Sequence, residues 1–217
     1  MAPRTRRGED DMCVSLLLRH PTRSVFALLL IALLGAPAAQ ATTVAKLSFS
    51  EVVTGSEVIA IGTVTAIEQT WDAELEMPFT LVTFSDLEVL KGSVASEDLT
   101  LRFLGGPAPD GLTLVVSGMP QFAVRDRAVV FSTGNGVQAC PLVGWWQGLY
   151  RVIFDAGRDV FTVADHLGRN VAGFDGSLGQ RVAHLSSAPE VAAALEETAP
   201  EALTLDDFRT LIQTESQ

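Results

Sequence analysis

Cysteine is scarce in this sequence. The 217 residues include two cysteines, Cys13 and Cys140. Cys13 precedes an apolar run near the N-terminus, where the cysteine of a lipoprotein signal could not lie. If the N-terminal segment is removed on export, Cys140 remains alone and no internal disulfide can form. The sequence therefore excludes a small exported domain that is stabilised by disulfides.

The short catalytic motifs are absent as well. The sequence contains no HExxH, GxSxG, phosphate-loop or CxxC pattern. These patterns are typical of zinc proteases, serine hydrolases, nucleotide-binding proteins and thiol oxidoreductases. The sequence gives no reason to expect a cofactor, and we predict none.

Basic residues are few. The whole chain has 15 Lys and Arg against 26 Asp and Glu, and removal of residues 1–41 leaves 10 basic against 23 acidic residues, a net charge of −13. An acidic surface repels phosphate backbones and anionic lipid. The composition therefore argues against nucleic acid as a partner, and against a membrane once the N-terminal segment is gone. A cationic ligand or a divalent metal stays open.

The N-terminus carries an uninterrupted apolar run over residues 25–34, preceded by arginines. It is followed by Ala39 and Ala41, the small residues of an A-x-A cleavage site. The run is shorter than the roughly 20 apolar residues that a membrane-spanning helix needs. The sequence therefore predicts a signal peptide over residues 1–41 and a secreted or periplasmic mature chain.

Two long strands, over residues 57–69 and 80–90, organise the rest of the chain. The first is rich in β-branched residues and lacks helical spacing. In the second, the apolar alternation shifts by one residue near Ser85 and Asp86, which is typical of a β-bulge. A bulge bends and coils a long strand, and coiled strands close small barrels. The pattern therefore predicts a barrel. Its one core is expected to contain Val58, Ile61, Val82, Phe84, Leu87 and Val130.

Further strands follow from alternation and turn residues. Residues 99–103 and 112–116 read as a hairpin across a Gly/Pro-rich turn, residues 128–132 as a central strand, and residues 150–154 and 160–164 as a final hairpin. Ser48 and Thr204 each begin a capping box, which predicts a short helix to about residue 53 and another at the C-terminus.

The predicted fold is mainly β, an OB-like closed barrel with a short N-terminal helix, an extra C-terminal hairpin and a short C-terminal helix. The barrel domain occupies residues 42–175. A linker rich in Ala, Pro and Glu is expected over residues 176–203, and the short helix over residues 204–217.

The order of these elements resembles the netrin-like module, the OB-type barrel shared with tissue inhibitors of metalloproteinases. The resemblance covers roughly residues 47–133 and depends on hydrophobic spacing and one Lys-Gly pair. The matching positions are Phe49, Ser56-Glu57-Val58-Ile59, Val82, Phe84, Leu87, Leu90-Lys91-Gly92, residues 99–103 and residues 129–131. The chain also resembles exported bacterial proteins with the same Lys-Gly strand and a Gly-x-x-Gln-Gly segment, here residues 144–148.

The departures from the netrin-like pattern limit what the resemblance implies. Metalloproteinase inhibitors of that family chelate zinc through an N-terminal cysteine, whereas this mature chain is expected to begin near Thr42 and has no cysteine before Cys140. The family's disulfides are absent too. The resemblance therefore implies the fold of this family. It links the chain to protease inhibition through that fold only, because the zinc-chelating cysteine is missing.

One catalytic hypothesis pairs Cys140, as a thiol nucleophile, with His166 or His184 as its base. A mature chain with one cysteine and two histidines gives such pairs by chance, and we favour a buried or half-buried thiol. Metal hypotheses rest on Asp72, Glu74 and Glu76 in the acidic connection; we favour a solvated hairpin tip there because no glycine provides the sharp turn of a Ca²⁺ loop.

A second acidic set, Asp155, Asp159 and Asp165, could also gather around a metal. Each of the three lies where a turn favours Asp. A structural role in turns is therefore the simpler interpretation.

The segment from Gly144 to Arg151 is the most unusual in composition, with Trp145, Trp146, Gln147 and Tyr150 close together. Adjacent residues of a strand point to opposite faces, so a core accommodates only one of the two indoles. We predict these four residues as the ligand-binding or partner-binding site, while the alternative is that the second indole is covered by the C-terminal segment.

The sequence therefore favours an exported β-barrel binding module for an unknown protein or small ligand. The alternative is a small periplasmic hydrolase or metal-dependent enzyme. An enzyme should show a cleft in which two or three polar side chains converge, whereas a binding module should show an exposed apolar or aromatic surface.

Cleavage is predicted between Ala41 and Thr42, with Met12 as the favoured start because acidic residues 9–11 are untypical of a signal peptide. N-terminal sequencing of secreted material should begin at Thr42. Recovery of mature protein that still contains residue 30 would contradict the prediction.

Overall fold

The computed structural model describes residues 44–175, 179–182 and 201–217. They form a mainly β protein with two α-helices and one short 3-10 helix. The predicted signal peptide lies outside the described residues, so its cleavage stays a prediction. Within the described ranges, no helix has the length and apolar character needed to cross a membrane.

Six of the described strands form one large antiparallel sheet. In chain order the strands are β1 (Val58–Asp72), β2 (Met77–Lys91), β3 (Leu99–Leu104), β4 (Gly106–Pro107), β5 (Thr113–Leu114), β6 (Arg127–Ser132), β7 (Leu149–Asp155), β8 (Val160–Ala164), β9 (Val171–Asp175) and β10 (Gly179–Val182). The large sheet has the order β3-β2-β1-β6-β7-β8, and β4-β5 and β9-β10 form two-stranded ribbons. The strand predicted over residues 112–116 is reduced to the two residues of β5.

The β1-β2 hairpin contains the predicted bulge. Ile61 pairs with Glu88 and Thr63 with Ser85, so β2 advances by three residues where β1 advances by two. Asp86, in the extra position, has a φ of 53°. The bulge changes which face the following side chains occupy: Leu87 returns to the face of Phe84.

The Lys-Gly pair that ends β2 joins the sheet to the first helix, α1 (Phe49–Thr54). Lys91 Nζ donates hydrogen bonds to the carbonyl oxygens of Val53 at 2.8 Å and Thr54 at 3.3 Å. Gly92 has a φ of 78°, and a Cβ there would lie 2.1 Å from the Glu57 carbonyl oxygen. Glycine is therefore required at this close backbone approach.

The predicted capping box at Ser48 is confirmed, and at Thr204 the structure shows the N-cap half of the predicted box. The Ser48 hydroxyl accepts from the N–H of Glu51, and the Glu51 carboxylate accepts from the N–H of Ser48. At the C-terminal helix, α2 (Leu205–Glu215), the Thr204 hydroxyl accepts from the N–H of Asp207. These bonds satisfy N–H groups that the helices leave free at their first turns.

The large sheet is buried on both faces, by two separate cores. The first core packs α1, α2 and β9 against the sheet and includes Phe49, Val53, Ile59, Ile61, Val129, Phe131, Tyr150, Val171, Phe208 and Ile212. The second core includes Ala60, Val64, Val82, Phe84, Leu101, Phe103, Val130, Cys140, Leu142 and Leu149. The sequence predicted one core for both Ile61 and Phe84, and this is wrong because adjacent residues of β1 alternate between the two faces.

The edge of the sheet at β3 is covered by the loop that follows β6. The Asn135 side chain accepts from the N–H of Arg102 at 3.0 Å and donates to the carbonyl of Thr100 at 2.8 Å. The N–H of Leu104 donates to the carbonyl of Ala139 at 2.8 Å. In the described part of the chain, β3 and β8 do not pair with each other, and the closed barrel stays a prediction.

The predicted linker over residues 176–203 is wrong for part of its length. Residues Gly179–Val182 form β10 and pair with β9. Leu203 accepts from the N–H of Val163 and donates to the carbonyl of Val171, so it covers the edge at β8. The sequence missed the Leu203 contacts because Val163 and Val171 are distant in the chain, whereas β9 and β10 form a local hairpin that the sequence also missed. The rest of the predicted linker, residues 176–178 and 183–200, lies outside the described residues.

Phe84 should contribute much to stability because it is fully buried and makes an edge-to-face contact with Phe122, with ring centroids 5.6 Å apart. We expect Phe84→Ala to lower the free energy of unfolding by about 3–5 kcal/mol. The measurement is a urea unfolding curve.

Phe154→Ala is the matched control, because Phe154 is 51% exposed. It should cost about 1 kcal/mol or less, as surface substitutions do. An unfolding midpoint that Phe84→Ala leaves unmoved would contradict the packing of the second core.

Candidate functional site

The segment that contains the paired tryptophans is a tight turn, and the predicted extended strand is wrong. Residues Trp145–Gly148 form a 3-10 helix. Gly144 and Trp145 have φ angles of 59° and 61°, both left-handed. Extended geometry is excluded by this pair of left-handed residues, which glycine allows at the first position.

The two indoles nevertheless separate, for a different reason from strand alternation. Trp145 packs against the second core. Trp146 lies beside His166, with ring centroids 5.9 Å apart and an interplanar angle of 42°. A Cβ on Gly118 would lie 2.7 Å from Trp146 Cζ3, so the indole rests on the Gly118 backbone. Trp146 is therefore the indole that faces an open site.

Gln147 holds the start of the described chain in place. Its Oε1 accepts from the N–H of Leu47 at 2.8 Å, and its Nε2 donates to the carbonyl of Ala45 at 2.9 Å and to that of Gly144 at 3.1 Å. Both Nε2 hydrogens are thereby used. Gln147 was predicted to contact a ligand; in the structure its amide positions residues 45–47 beside Trp146.

A cleft of about 360 Å³ opens between this turn, the N-terminal segment and the turn after β8. Volumes of about 300–1,000 Å³ are usual for small-ligand sites. The lining residues are Val44, Lys46, Leu47, Phe49, Val52, Trp146, Gln147, Tyr150, Asp165, His166, Arg169 and Phe174. Three of the four predicted binding residues therefore line one cleft, and Trp145 does not.

Asp165 fixes the turn that carries His166. Its Oδ1 accepts from the N–H groups of Leu167 and Arg169, each at 2.9 Å, and its Oδ2 accepts from the Arg169 guanidinium at 2.7 Å. Burial raises the pKa of Asp165, but these hydrogen bonds and the charge of Arg169 outweigh burial and hold the pKa below its ordinary value. The carboxylate is thus ionised and its acceptor positions are occupied.

His166 and Tyr150 are both neutral near pH 7. Burial lowers the pKa of His166, the charges of Arg169 and Arg151 act in the same direction, and Asp165 opposes them. Burial, followed by the negative charge of Asp165, raises the pKa of the Tyr150 hydroxyl. The cleft therefore presents a neutral imidazole and a protonated phenol beside an indole.

Cys140 is not part of this cleft. It belongs to the second core, is 3% exposed, and does not line the cleft. Burial raises the pKa of its thiol to about 11, so the nucleophilic thiolate is not formed near neutral pH. The structure does not bring Cys140 and His166 together, and His184 lies outside the described residues.

The acidic metal candidates serve turns and ion pairs. Asp72 accepts from the N–H groups of Glu74 and Leu75 and pairs with Arg102 at 3.3 Å. Glu76 is exposed and has a φ of 52°. Across the described ranges, no three His, Cys, Asp or Glu residues are grouped so that they could hold a metal ion.

The second acidic set, Asp155, Asp159 and Asp165, also lies in turns. Asp155 accepts from the N–H groups of Gly157 and Arg158, and Asp159 has a φ of 55° in that hairpin turn. These are the turn roles that the sequence favoured. Asp165 alone of the three borders the cleft.

The sequence did not identify Lys46 or Arg169 as site residues, nor did it place Asp165 and His166 beside the tryptophans. Lys46 lies close to the predicted start of the mature chain, and its place depends on the bonds that Gln147 makes to its neighbours Ala45 and Leu47. The sequence shows a turn over residues 165–169. It does not show which residues lie beside that turn in space.

In comparisons with known proteins, no protein-family model, curated protein or solved structure matches this chain. The site must therefore be interpreted from its own chemistry. It has an aromatic wall, one neutral imidazole, one phenol and two basic side chains, and it can bind a small molecule by apolar contact and hydrogen bonding.

The lowered pKa of His166 makes stability depend on pH. An unfolded histidine titrates near about pH 6.5. As the pH falls through that value, the unfolded chain binds a proton that folded His166 resists, so the folded state loses stability. We expect the urea midpoint to fall between about pH 7.5 and about pH 5.5, and His166→Gln to reduce that fall.

His184→Gln is the control, since His184 is the other histidine of the predicted mature chain. It should leave the difference between the two midpoints unchanged. The opposite outcome, in which His184→Gln alone removes the difference, would contradict the environment described for His166.

Proposed function

We propose that the mature chain is an exported binding module that holds a small ligand, or one side chain of a protein partner, against Trp146. The observation that carries this proposal is the cleft itself, in which Trp146, Tyr150 and His166 face one space of about 360 Å³. An indole offers a large apolar area with little conformational freedom to lose, which makes it an effective binding residue.

Export is part of the proposal, and the N-terminal sequence supports it. Residues 25–34 are apolar, arginines precede them, and Ala39 and Ala41 follow. The mature chain would then be secreted or periplasmic. Its net charge of −13 disfavours nucleic acid and anionic membranes as partners.

We further propose that the scaffold is an OB-like barrel of the netrin-like type. Its support is the β3-β2-β1-β6 part of the sheet, whose strands contribute side chains to the second core, and the Asn135 side chain that bonds the β3 edge to the loop after β6. A side-chain amide there takes the place of a paired strand. The proposal concerns fold; the zinc-chelating cysteine of the metalloproteinase inhibitors has no counterpart at the predicted N-terminus.

A hydrolase is the second candidate, because His166 is a neutral imidazole in a cleft with Tyr150. A neutral imidazole can act as a general base. However, the Asp165 oxygens are occupied by hydrogen bonds, and Cys140 lies in the other core. Binding therefore fits the cleft better than nucleophilic catalysis does.

The test is a screen of small aromatic fragments against the mature protein by two-dimensional ¹H–¹⁵N NMR. We expect shifts at the Trp146 indole N–H and at the backbone of His166. Trp146→Ala should weaken the best fragment by about 2 kcal/mol or more with little change in melting temperature, because the indole borders the cleft.

Trp145→Ala is the matched control. Trp145 packs against the second core, so its removal should lower the melting temperature and leave fragment affinity within about two-fold (roughly 0.4 kcal/mol). The proposal fails if fragments bind elsewhere, or if both variants bind them like the unchanged protein. Ester or amide hydrolysis that His166→Gln abolishes would favour the second candidate.

A further inference from the structure

We propose that the natural ligand of this cleft is a small organic carboxylate with an apolar, ring-containing body. The inference rests on the proposed function, since it assigns the chemistry of the ligand in the same cleft. It follows from the charges that line the site, the neutral hydrogen-bonding groups beside them, and the aromatic walls.

The charges that line the cleft sum to one positive charge. Three charged side chains border it: Lys46, Asp165 and Arg169. Asp165 and Arg169 neutralise each other in an ion pair of 2.7 Å. Lys46 makes no ion pair with any described residue. The cleft therefore favours an anion, although the chain as a whole is acidic.

The charge count favours a monoanion over a phosphate ester. A phosphate carries close to two negative charges at pH 7, and its second charge would have no cation of its own here. Arg151, the nearby guanidinium behind the His166 turn, is itself paired with Asp126 at 2.8 Å. The single positive charge of the Lys46 ammonium group balances the single negative charge of a carboxylate.

Neutral groups complete the recognition of a carboxylate. The Tyr150 side chain stays protonated, because burial raises the pKa of its hydroxyl. It can therefore donate a hydrogen bond, and a neutral imidazole such as that of His166 also carries one N–H. Asp165 cannot compete for a cationic ligand, because its oxygens already accept from Leu167 and Arg169.

The walls of the cleft indicate a ring in the ligand. Phe49 and Phe174 are stacked, with centroids 4.1 Å apart, and both line the cleft. Trp146 forms a further aromatic wall. Aromatic surfaces of this kind favour a flat apolar body that packs face or edge on.

The test compares three probes that share one ring and differ in the charge of the head group: phenylacetate, phenylacetamide and phenethylamine. Binding to the mature protein is measured by isothermal titration calorimetry near pH 7. We expect phenylacetate to bind about five-fold more tightly than the amide, the gain of one partly exposed ion pair. Phenethylamine should bind most weakly, and added salt should reduce the preference for phenylacetate.

Lys46→Gln should remove the preference for phenylacetate over the amide while the amide keeps its affinity. Arg125→Gln is the matched control, since Arg125 is exposed and does not line the cleft; it removes the same charge from the protein and should leave the preference intact. Phenyl phosphate provides a fourth probe, and it should bind no more tightly than phenylacetate.

Each other outcome has a distinct meaning. If the amide or the amine binds best and Trp146→Ala abolishes that binding, the carboxylate inference is overturned while the binding function stands. Tighter binding of phenyl phosphate overturns the carboxylate in favour of a phosphate ester. If none of the probes shows binding that depends on Trp146, the inference and the proposed function both fail.

Discussion

Strand β1 is the element on which both cores depend. Ile59 and Ile61 enter the first core, whereas Ala60 and Val64 enter the second, and all four are at most 1% exposed. β1 also pairs with β2 on one side and with β6 on the other. Over residues 58–63, β1 is largely buried and is paired at both edges, so its position constrains the neighbouring strands and both cores.

The bulge in β2 and the Lys-Gly pair at its end connect the sheet to helix α1. The bulge allows Leu87 to remain on the face of Phe84, and Lys91 then reaches the carbonyl groups at the end of α1. α1 in turn contributes Phe49 to the first core and to the wall of the cleft. Backbone irregularity in the sheet and the geometry of the cleft are therefore linked through one short helix.

Hydrogen bonds within the protein hold the walls of the cleft in place and leave several side chains available to a ligand. Gln147 positions the N-terminal segment, and Asp165 positions the turn of His166, so both walls are held by hydrogen bonds before any ligand arrives. Preorganisation of this kind reduces the entropy that a ligand must lose on binding. The groups that remain for recognition are an indole, a phenol, a neutral imidazole and one ammonium group.

The sequence alone determined the strands of the large sheet, the bulge near Asp86 and both helix caps, because each of these depends on spacing or on residues a few positions apart. Only the tertiary structure decided that Ile61 and Phe84 lie in different cores, that Gly144 and Trp145 turn the chain, and that Lys46 and His166 border one cleft. These features arise from contacts between residues far apart in sequence, such as that between Gln147 and Leu47. Local patterns carry no information about such contacts, because they are selected by the packing of the whole sheet.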